Sequence, residues 1–478
     1  MPKSVDGIAT NERIRRGDSS ALGELDAAIA RMQTLNPQLN AVTEFTLETA
    51  RQAAAEVSGT ESPLAGVPTL LKDLLTPSQG DPAYQGNRCL KAIDHRYEET
   101  SAVAMRLATS GLVSIGRTHS PEFGCGNCTA ASETELYGPT RNPWNTDHSP
   151  MGSSGGAAAA VASGVVSVAQ ATDGGGSIRM PASACGIVGL KPSRGRVSNA
   201  PAGEVWAGGC TNGMLARTVR DAAAGLDILS GAEPGDPGEH PLAWPSLLEQ
   251  LDTSPGALRI GICEALPFAD TAPDVKEGVR AAGALLDRLG HRVGSAHPSA
   301  LDTQAYLYDY MVVIRVSLAA DLDELVPVLG RPWAEADMEN GSWVSYQRGQ
   351  KISGADYARA RERLHRWTRQ VVQWWTDGYD VLVLPTLATP PPTLGFLVSG
   401  HERERTTRLA STVPYTPQFN VTGQPAISLP LHWTASGLPI GVQFVAAPGR
   451  DDVLITLAAQ LEQACAWQNR WPPVRAED

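Results

Sequence analysis

Lys72 closes an apolar run, Val67-Pro-Thr-Leu-Leu-Lys72, and is followed by Asp73-Leu-Leu75. A cation in such a run loses hydration unless it is neutral or paired, and lysine can be neutral near pH 7 whereas arginine cannot. Only six of the 39 basic residues are Lys, so a lysine here points to proton transfer. The alternative is a lysine that snorkels to solvent or pairs with Asp73. A second candidate is Asp173-Gly174-Gly175-Gly176-Ser177-Ile178. Three glycines before a serine let several backbone N–H groups converge where an oxyanion would form, with the serine hydroxyl presented there as a nucleophile. A phosphate cradle is the weaker reading, because no Gly-Lys-Ser/Thr and no Rossmann spacing accompany the loop. Ser177 is not in a Gly-x-Ser-x-Gly elbow, and the nine His stand singly. The remaining partners are Lys72 and the pair Ser153-Ser154, through which a neutral amine could take a proton by way of an intermediate hydroxyl.

The elements that must position these residues follow an α/β rhythm. Leu22, Leu25, Ile29, Met32 and Leu35 recur at helical spacing, which predicts a helix over 20–35, begun by Asp18 or Ser19 and stopped at Asn36-Pro37. A helix from Thr100 ends near Gly111, and a strand follows in Leu112-Val-Ser-Ile-Gly-Arg-Thr118. Between the two glycine-rich turns, 151–156 and 173–179, an alanine run (157–160) and a strand over Val165–Ala169 would bring both turns to one sheet edge. A Pro- and Gly-rich connector (231–245) precedes a strand, helix, strand unit built on 258–263, 275–289 and 291–296. From 302 to 379 the pattern is helical, and Leu364, Trp367, Val371, Trp374 and Trp375 form a stripe that reads as core packing. Val381-Leu-Val-Leu-Pro385 and the run 425–431 return to buried strands.

The 478 residues, 42% hydrophobic and 19% charged, can bury a large core. A net charge of −12 with no basic cluster excludes a polyanion binder. No apolar stretch reaches signal-peptide or bilayer length, so the chain reads as soluble and cytoplasmic. Seven scattered Cys suggest reduced thiols. Cys125 and Cys128 have half-site spacing, but no second pair follows, so no metal is expected.

Several of these segments together resemble the amidase signature family. They are Gly152-Ser153-Ser154-Gly155-Gly156, Asp173 through Ala182 with Ser153 and Ser177 24 positions apart (177 − 153), and Lys72 after Ala65-Gly66-Val67-Pro68. Pro121–Gly124, Arg141–Asn145, Gly189–Ser193 and Ala216–Asp221 also match, so the resemblance covers nearly the whole chain. It implies the amidase signature fold: an α/β architecture with a large twisted mixed β-sheet core flanked by helices on both faces. It also implies a single amidase domain over 1–478, with an N-terminal helical part (1–60), a catalytic core (61–230), a helical substrate-pocket region (300–375) and a return to the core sheet (376–470). Carried onto this sequence, the family pattern makes Ser177 the acylated nucleophile, Ser153 a bridging serine on a cis peptide after Gly152, and Lys72 the general base. The oxyanion hole would use the N–H groups of Gly174, Gly175, Gly176 and Ser177, with Ser154, Asp173 and Arg179 in support and no cofactor. Met151, Gly174 and His119 depart from the pattern, and His119 as the base is a minor alternative.

Within the family, Phe419–Pro430 and Gly449–Asp452 resemble the aminohexanoate cyclic-dimer hydrolases, whose subfamily handles neutral amides and neighbours enzymes of aryl amides and carbamates. Tyr306, Tyr308, Tyr310, Met311, Trp333, Trp343 and Tyr346, with almost no Lys among them, suggest a neutral, partly apolar acyl pocket or else plain core packing. The expected partner is a small-molecule amide, with a homodimer allowed and neither nucleic acid nor membrane involved. The competing readings are the glutamine-hydrolysing subunit of a tRNA-dependent amidotransferase and a non-catalytic binding protein on the same scaffold.

Overall fold

The computed structural model describes residues 6–57, 60–125, 130–238 and 244–476. Its centre is an eight-stranded mixed sheet whose spatial order is Arg292–Ser295, Arg259–Ile262, Val381–Pro385, Pro439–Ala446, Ala426–Trp433, Val188–Lys191, Thr211–Ala216 and Val168–Asp173. The first three strands run parallel to one another and all the later neighbours pair antiparallel.

Alternation along the strands sorts side chains between two cores. Val381 and Val383 join Val442 and Phe444 in a core covered by helices Val219–Leu229, Pro273–Arg288 and Asp451–Cys465. Leu382, Leu384 and Val445 face the other way, under helices Ala305–Glu324 and Gly354–Thr376. Further along that second face, Ala169, Ala171 and Leu215 meet the fully buried alanine-rich helix Gly155–Ala162. With helices on both faces, strands such as Val381–Pro385 and Pro439–Ala446 are buried along their whole length.

A three-stranded sheet of Val42–Phe45, Val113–Thr118 and Pro68–Lys72 lies beside the edge strand Val168–Asp173. Side chains join the two sheets where no backbone ladder does: Thr69 Oγ1 donates to the Val168 carbonyl at 3.0 Å, and the Lys72 amide donates to Gln170 Oε1 at 2.9 Å. This seam fixes Lys72 against the end of the edge strand.

Two boundaries differ from the sequence expectation. The helix expected over 20–35 spans Ala21–Leu39, with Ser20 as its N-cap and Pro37 inside it. Asn36 does not stop it, because its Oδ1 accepts from the amides of Ala41 and Val42, and the helix closes at Asn40 in the left-handed region. The strand expected over Val165–Ala169 is Val168–Asp173, because its ladder partner ends where Val168 meets Ala216. The aromatic stripe on Gly354–Thr376 is core: Leu364, Trp367, Val371 and Trp375 are buried, and Trp374 stacks on Tyr379. No helix among the described residues is long and apolar enough to cross a membrane.

Candidate active site

Lys72 is the last residue of the fully buried strand Pro68–Lys72 and is itself inaccessible to solvent. Its Nζ donates to Ser153 Oγ and to Thr172 Oγ1, 2.7 Å away in each case. Burial pulls its pKa down to about 7, against the opposing pull of Asp173. Neither alternative drawn from the sequence holds. A lysine with no exposure does not snorkel, and Asp73 instead accepts from the Gly86 amide at 3.3 Å, its own pKa raised by burial to about 7. Lys191 is also buried and also lowered to about 7, chiefly by burial, but its Nζ donates to the Pro192 carbonyl at 2.8 Å. Among the described residues it has no hydroxyl partner, so geometry rather than acidity separates the two lysines.

The two glycine-rich turns meet as the sequence suggested. Ser153 follows a cis peptide bond after Gly152, and Ser154 Oγ donates to the Thr172 carbonyl at 3.3 Å. Ser177 stands one turn beyond Asp173, 8% exposed, on the wall of a cavity of about 660 Å³ shared with Gly174 and Gly175. Among the described residues no hydrogen bond links Ser177 to Lys72 or Ser153.

The Ser177 loop is held from beneath. Asp173 and Arg179 form a fully buried ion pair at 2.8 Å, and the Asp173 carboxylate also accepts from the amides of Gly176 (2.8 Å), Ile178 (3.1 Å) and Arg179 (3.4 Å). Burial alone would raise the Asp173 pKa, but the Arg179 guanidinium, together with Lys191 and Asn420, more than offsets it and holds the carboxyl well below its usual range. The Gly176 amide is therefore committed to Asp173, whereas those of Gly174, Gly175 and Ser177 have no hydrogen-bond acceptor among the described residues.

Two of the glycines are required sterically. A Cβ at Gly174 would lie 2.6 Å from Cys210 Sγ and 2.7 Å from the Trp206 ring, and Gly176 has φ 123° against Thr416. This close packing is why glycine stands at 174.

Sequence reasoning missed four supports. Thr172 is the second acceptor for Lys72 Nζ, and Thr416 Oγ1 donates to the Gly175 carbonyl at 2.6 Å. The Tyr310 hydroxyl donates to the Gly174 carbonyl, and Asn420 Nδ2 donates to Asp173 at 2.8 Å. Tyr310, expected as a pocket-wall aromatic, Thr416, and Asn420 within the matching run 419–430 lie more than a hundred residues from the loop, and nothing local marks their contact with it. Trp206, also unforeseen, lines the cavity.

His119 is no base for Ser177. Its ring nitrogens contact Thr140 Oγ1 at 2.7 Å and Thr134 Oγ1 at 2.9 Å, and burial lowers its pKa to about 4. Cys125 lines the cavity, its thiol pushed up by burial, while Cys128 lies outside the described residues. No group of three or more His, Cys, Asp or Glu side chains suited to a metal ion occurs among the described residues. The expected aromatic wall divides: on the helix Ala305–Glu324, Tyr306, Tyr310 and Met311 line the cavity while Tyr308 points outward at 72% exposure, and Trp333, between helices, is core.

The chain is 40% identical over 479 residues to the 6-aminohexanoate-cyclic-dimer hydrolase of Pseudomonas sp. (strain NK87), covering 98% of this chain and 96% of that protein. A solved structure of 6-aminohexanoate cyclic dimer hydrolase superposes with a TM-score of 0.92 at 39% identity, over 98% of both chains. A bacterial aryl acylamidase of the amidase signature enzymes superposes with a TM-score of 0.87 at 25% identity, over 100% of both chains. The family model described as Amidase matches residues 24–455, and on that match and these relatives this chain belongs to the amidase family of amide hydrolases.

Proposed function

We propose that this chain, acting as one unit from its N-terminal helices to its last strand pair, hydrolyses amide bonds through an acyl-enzyme on Ser177. The observation that carries the reading is the 2.7 Å contact of a fully buried Lys72 with Ser153 beneath the cavity that exposes Ser177. With its pKa near 7, Lys72 is substantially neutral at neutral pH and has a lone pair to accept a proton.

Ser177 Oγ attacks the amide carbonyl carbon while its proton passes to Ser153 Oγ, and the Ser153 proton passes to Lys72 Nζ. Closure of the Ser177–Ser153 contact accompanies substrate binding. The carbonyl oxygen, now an oxyanion, accepts from the free amides of the loop, those of Gly174, Gly175 and Ser177, while Gly176 keeps the loop in shape through Asp173. Collapse of the tetrahedral intermediate breaks the C–N bond, and the proton returns by the same path to the departing amine. Water then attacks the ester by the reverse relay, releasing the acid and restoring Ser177.

The substrates are amides that are neutral around the scissile bond, with aliphatic or aryl parts seated against Tyr306, Met311, Ile314 and Leu409. Such a wall gains by burying hydrocarbon, whereas seating free glutamine against it would desolvate that molecule's paired charges. The names of the relatives, a cyclic-dimer hydrolase and an aryl acylamidase, support this class.

A fluorophosphonate probe tests the reading. Covalent labelling should map to Ser177 and vanish in Ser177→Ala, with turnover of a medium-chain anilide falling by about a hundredfold or more and the melting temperature unchanged. Persistent labelling or turnover in that variant would remove Ser177 as nucleophile. Glutamine should be a poorer substrate than the anilide, and a preference for glutamine would move the chain to the amidotransferase reading.

A further inference from the structure

The cavity has a charged part that the reaction above does not use. Its charged lining residues are Arg315, Arg348, Arg403 and Arg405 against Glu402 alone, an excess of three positive charges on a chain whose net charge is −12. Two of these arginines are occupied. Arg348 pairs with Glu402 at 2.7 Å, and Arg405 donates to the Gly400 carbonyl at 2.7 Å and to Asn340 Oδ1 at 3.2 Å. Arg403 is exposed at the mouth. Arg315 differs: its side chain is half-buried, its Nε is shielded from solvent with no partner, and it has no ion pair among the described residues. Burial, and then Arg348, disfavour its charge, while Glu402, already paired with Arg348, favours it without forming an ion pair to it.

Position gives this guanidinium a role. Arg315 and Tyr310 lie on the same helix, Ala305–Glu324, and both line the cavity. Tyr310 touches the Gly174 carbonyl beside Ser177. Five residues along a helix advance about 7.5 Å, so Arg315 is displaced by more than a turn from the reacting centre. Met311, Ile314 and Leu409 supply apolar wall in the same cavity. A half-buried cation with no hydrogen-bonded anion gains when one arrives, and the planar fork of a guanidinium matches a carboxylate.

We propose that Arg315 is a specificity-determining residue that binds a carboxylate at the far end of the substrate, so that the preferred amides are neutral and apolar at the scissile bond and anionic at one chain terminus. This rests on the amide-hydrolase reading above. The scarcity of Lys over 306–346 suggested a neutral pocket, but arginine supplies the charge there. The excess of positive charge at the mouth would also favour the approach of such substrates, an effect that weakens with salt.

The test uses two substrate series and the intact enzyme. In one, 4-nitroanilides of dicarboxylic half-acids from succinyl to suberyl are compared with alkyl-ended acyl anilides of equal length. In the other, N-acyl ω-amino acids are compared with N-acyl alkylamines, which places the carboxylate on the amine side. The wild type should favour the best carboxylated member of at least one series by about tenfold or more in kcat/KM. Arg315→Gln should abolish that ratio, Arg315→Lys should retain part of it, and Arg366→Gln, on the exposed side of another helix, should keep it whole. No preference in either series, or one that survives in Arg315→Gln, overturns the proposal.

Calorimetry with Ser177→Ala separates the two readings. If no amide is turned over by the wild type, yet the half-acid anilide binds Ser177→Ala and not Ser177→Ala/Arg315→Gln, the hydrolase reading falls and Arg315 stands. If amides are hydrolysed and this binding difference is absent, Arg315 falls and the hydrolase stands.

Discussion

Two lysines in this protein share a burial state and an acidity but differ in what surrounds the nitrogen. Lys72 and Lys191 are both fully enclosed, and in both burial brings the pKa to about 7. Both also feel Asp173, which favours the charged form of each. Lys72 ends a strand of the small sheet and reaches two hydroxyls across the seam, one of them on the turn opposite Ser177. Lys191 ends a strand inside the large sheet and reaches a main-chain carbonyl, which can neither give nor relay a proton. A displaced pKa therefore marks burial, and only a neighbouring hydroxyl turns it into candidate chemistry.

The most direct way to break this contrast is to change Lys72. Lys72→Ala and Lys72→Arg should each cost about 10²–10⁴ in kcat, since arginine keeps the charge but cannot accept a proton. Substantial rescue by Arg would make Lys72 an electrostatic prop. The acid limb of kcat/KM in the wild type should lie near pH 7, with activity rising as Lys72 loses its proton.

Asp173 touches both lysines electrostatically, so Asp173→Asn sharpens the comparison from the shared side. It leaves Arg179 unpaired in a buried site and should cost about 3–5 kcal/mol in chemical denaturation. Because Asp173 raises the Lys72 pKa, the acid limb of the remaining activity should move below its wild-type position. An unmoved limb would disconnect it from Lys72.

Tyr310→Phe removes one hydroxyl from the Gly174 carbonyl without disturbing either lysine. A loss of about 1 kcal/mol, or less than tenfold in kcat, is expected, with the pH limb in place.

The smallest kinetic effect belongs to Lys191→Met, whose kcat should stay within a few-fold of wild type with the acid limb unchanged. Its signature is in stability. The folded pKa of Lys191 lies below the ordinary 10.5, so the folded state binds fewer protons than the unfolded state between about 7 and 10.5, and wild-type stability rises with pH across that window. The melting temperature of Lys191→Met relative to wild type should therefore be highest near pH 7 and decline toward pH 10. A large kinetic loss in this variant would erase the distinction between the lysines.

Much of this contrast was legible in the chain. Lys72 in an apolar run, the Gly-Gly-Gly-Ser loop and the Ser153-Ser154 turn are local patterns whose meaning depends on residue type and spacing, and the helix and strand periods around them survive folding because burial imposes them. Family resemblance then assigned a role to each. What the sequence left open is set by contacts between distant segments. Lys191 belongs to a matching motif too, and nothing local says that its nitrogen faces a carbonyl. Tyr310, Thr416 and Asn420 reach the Ser177 loop only because the sheet order lays their elements over it. The helix over 21–39 continues through Pro37 because Asn36 caps the backbone beyond it. The amide of Gly176 is spent on a carboxylate three residues earlier, and the charge of the cavity wall comes from arginines whose phase on their helices turns them inward. The sequence by itself determined the candidate reacting groups and the family, because these depend on residue chemistry and short-range pattern. Only the tertiary structure decided which buried lysine has a hydroxyl partner, which amides remain free and which half-buried guanidinium keeps an unpartnered Nε, because each is a matter of a few ångströms between groups far apart in the chain.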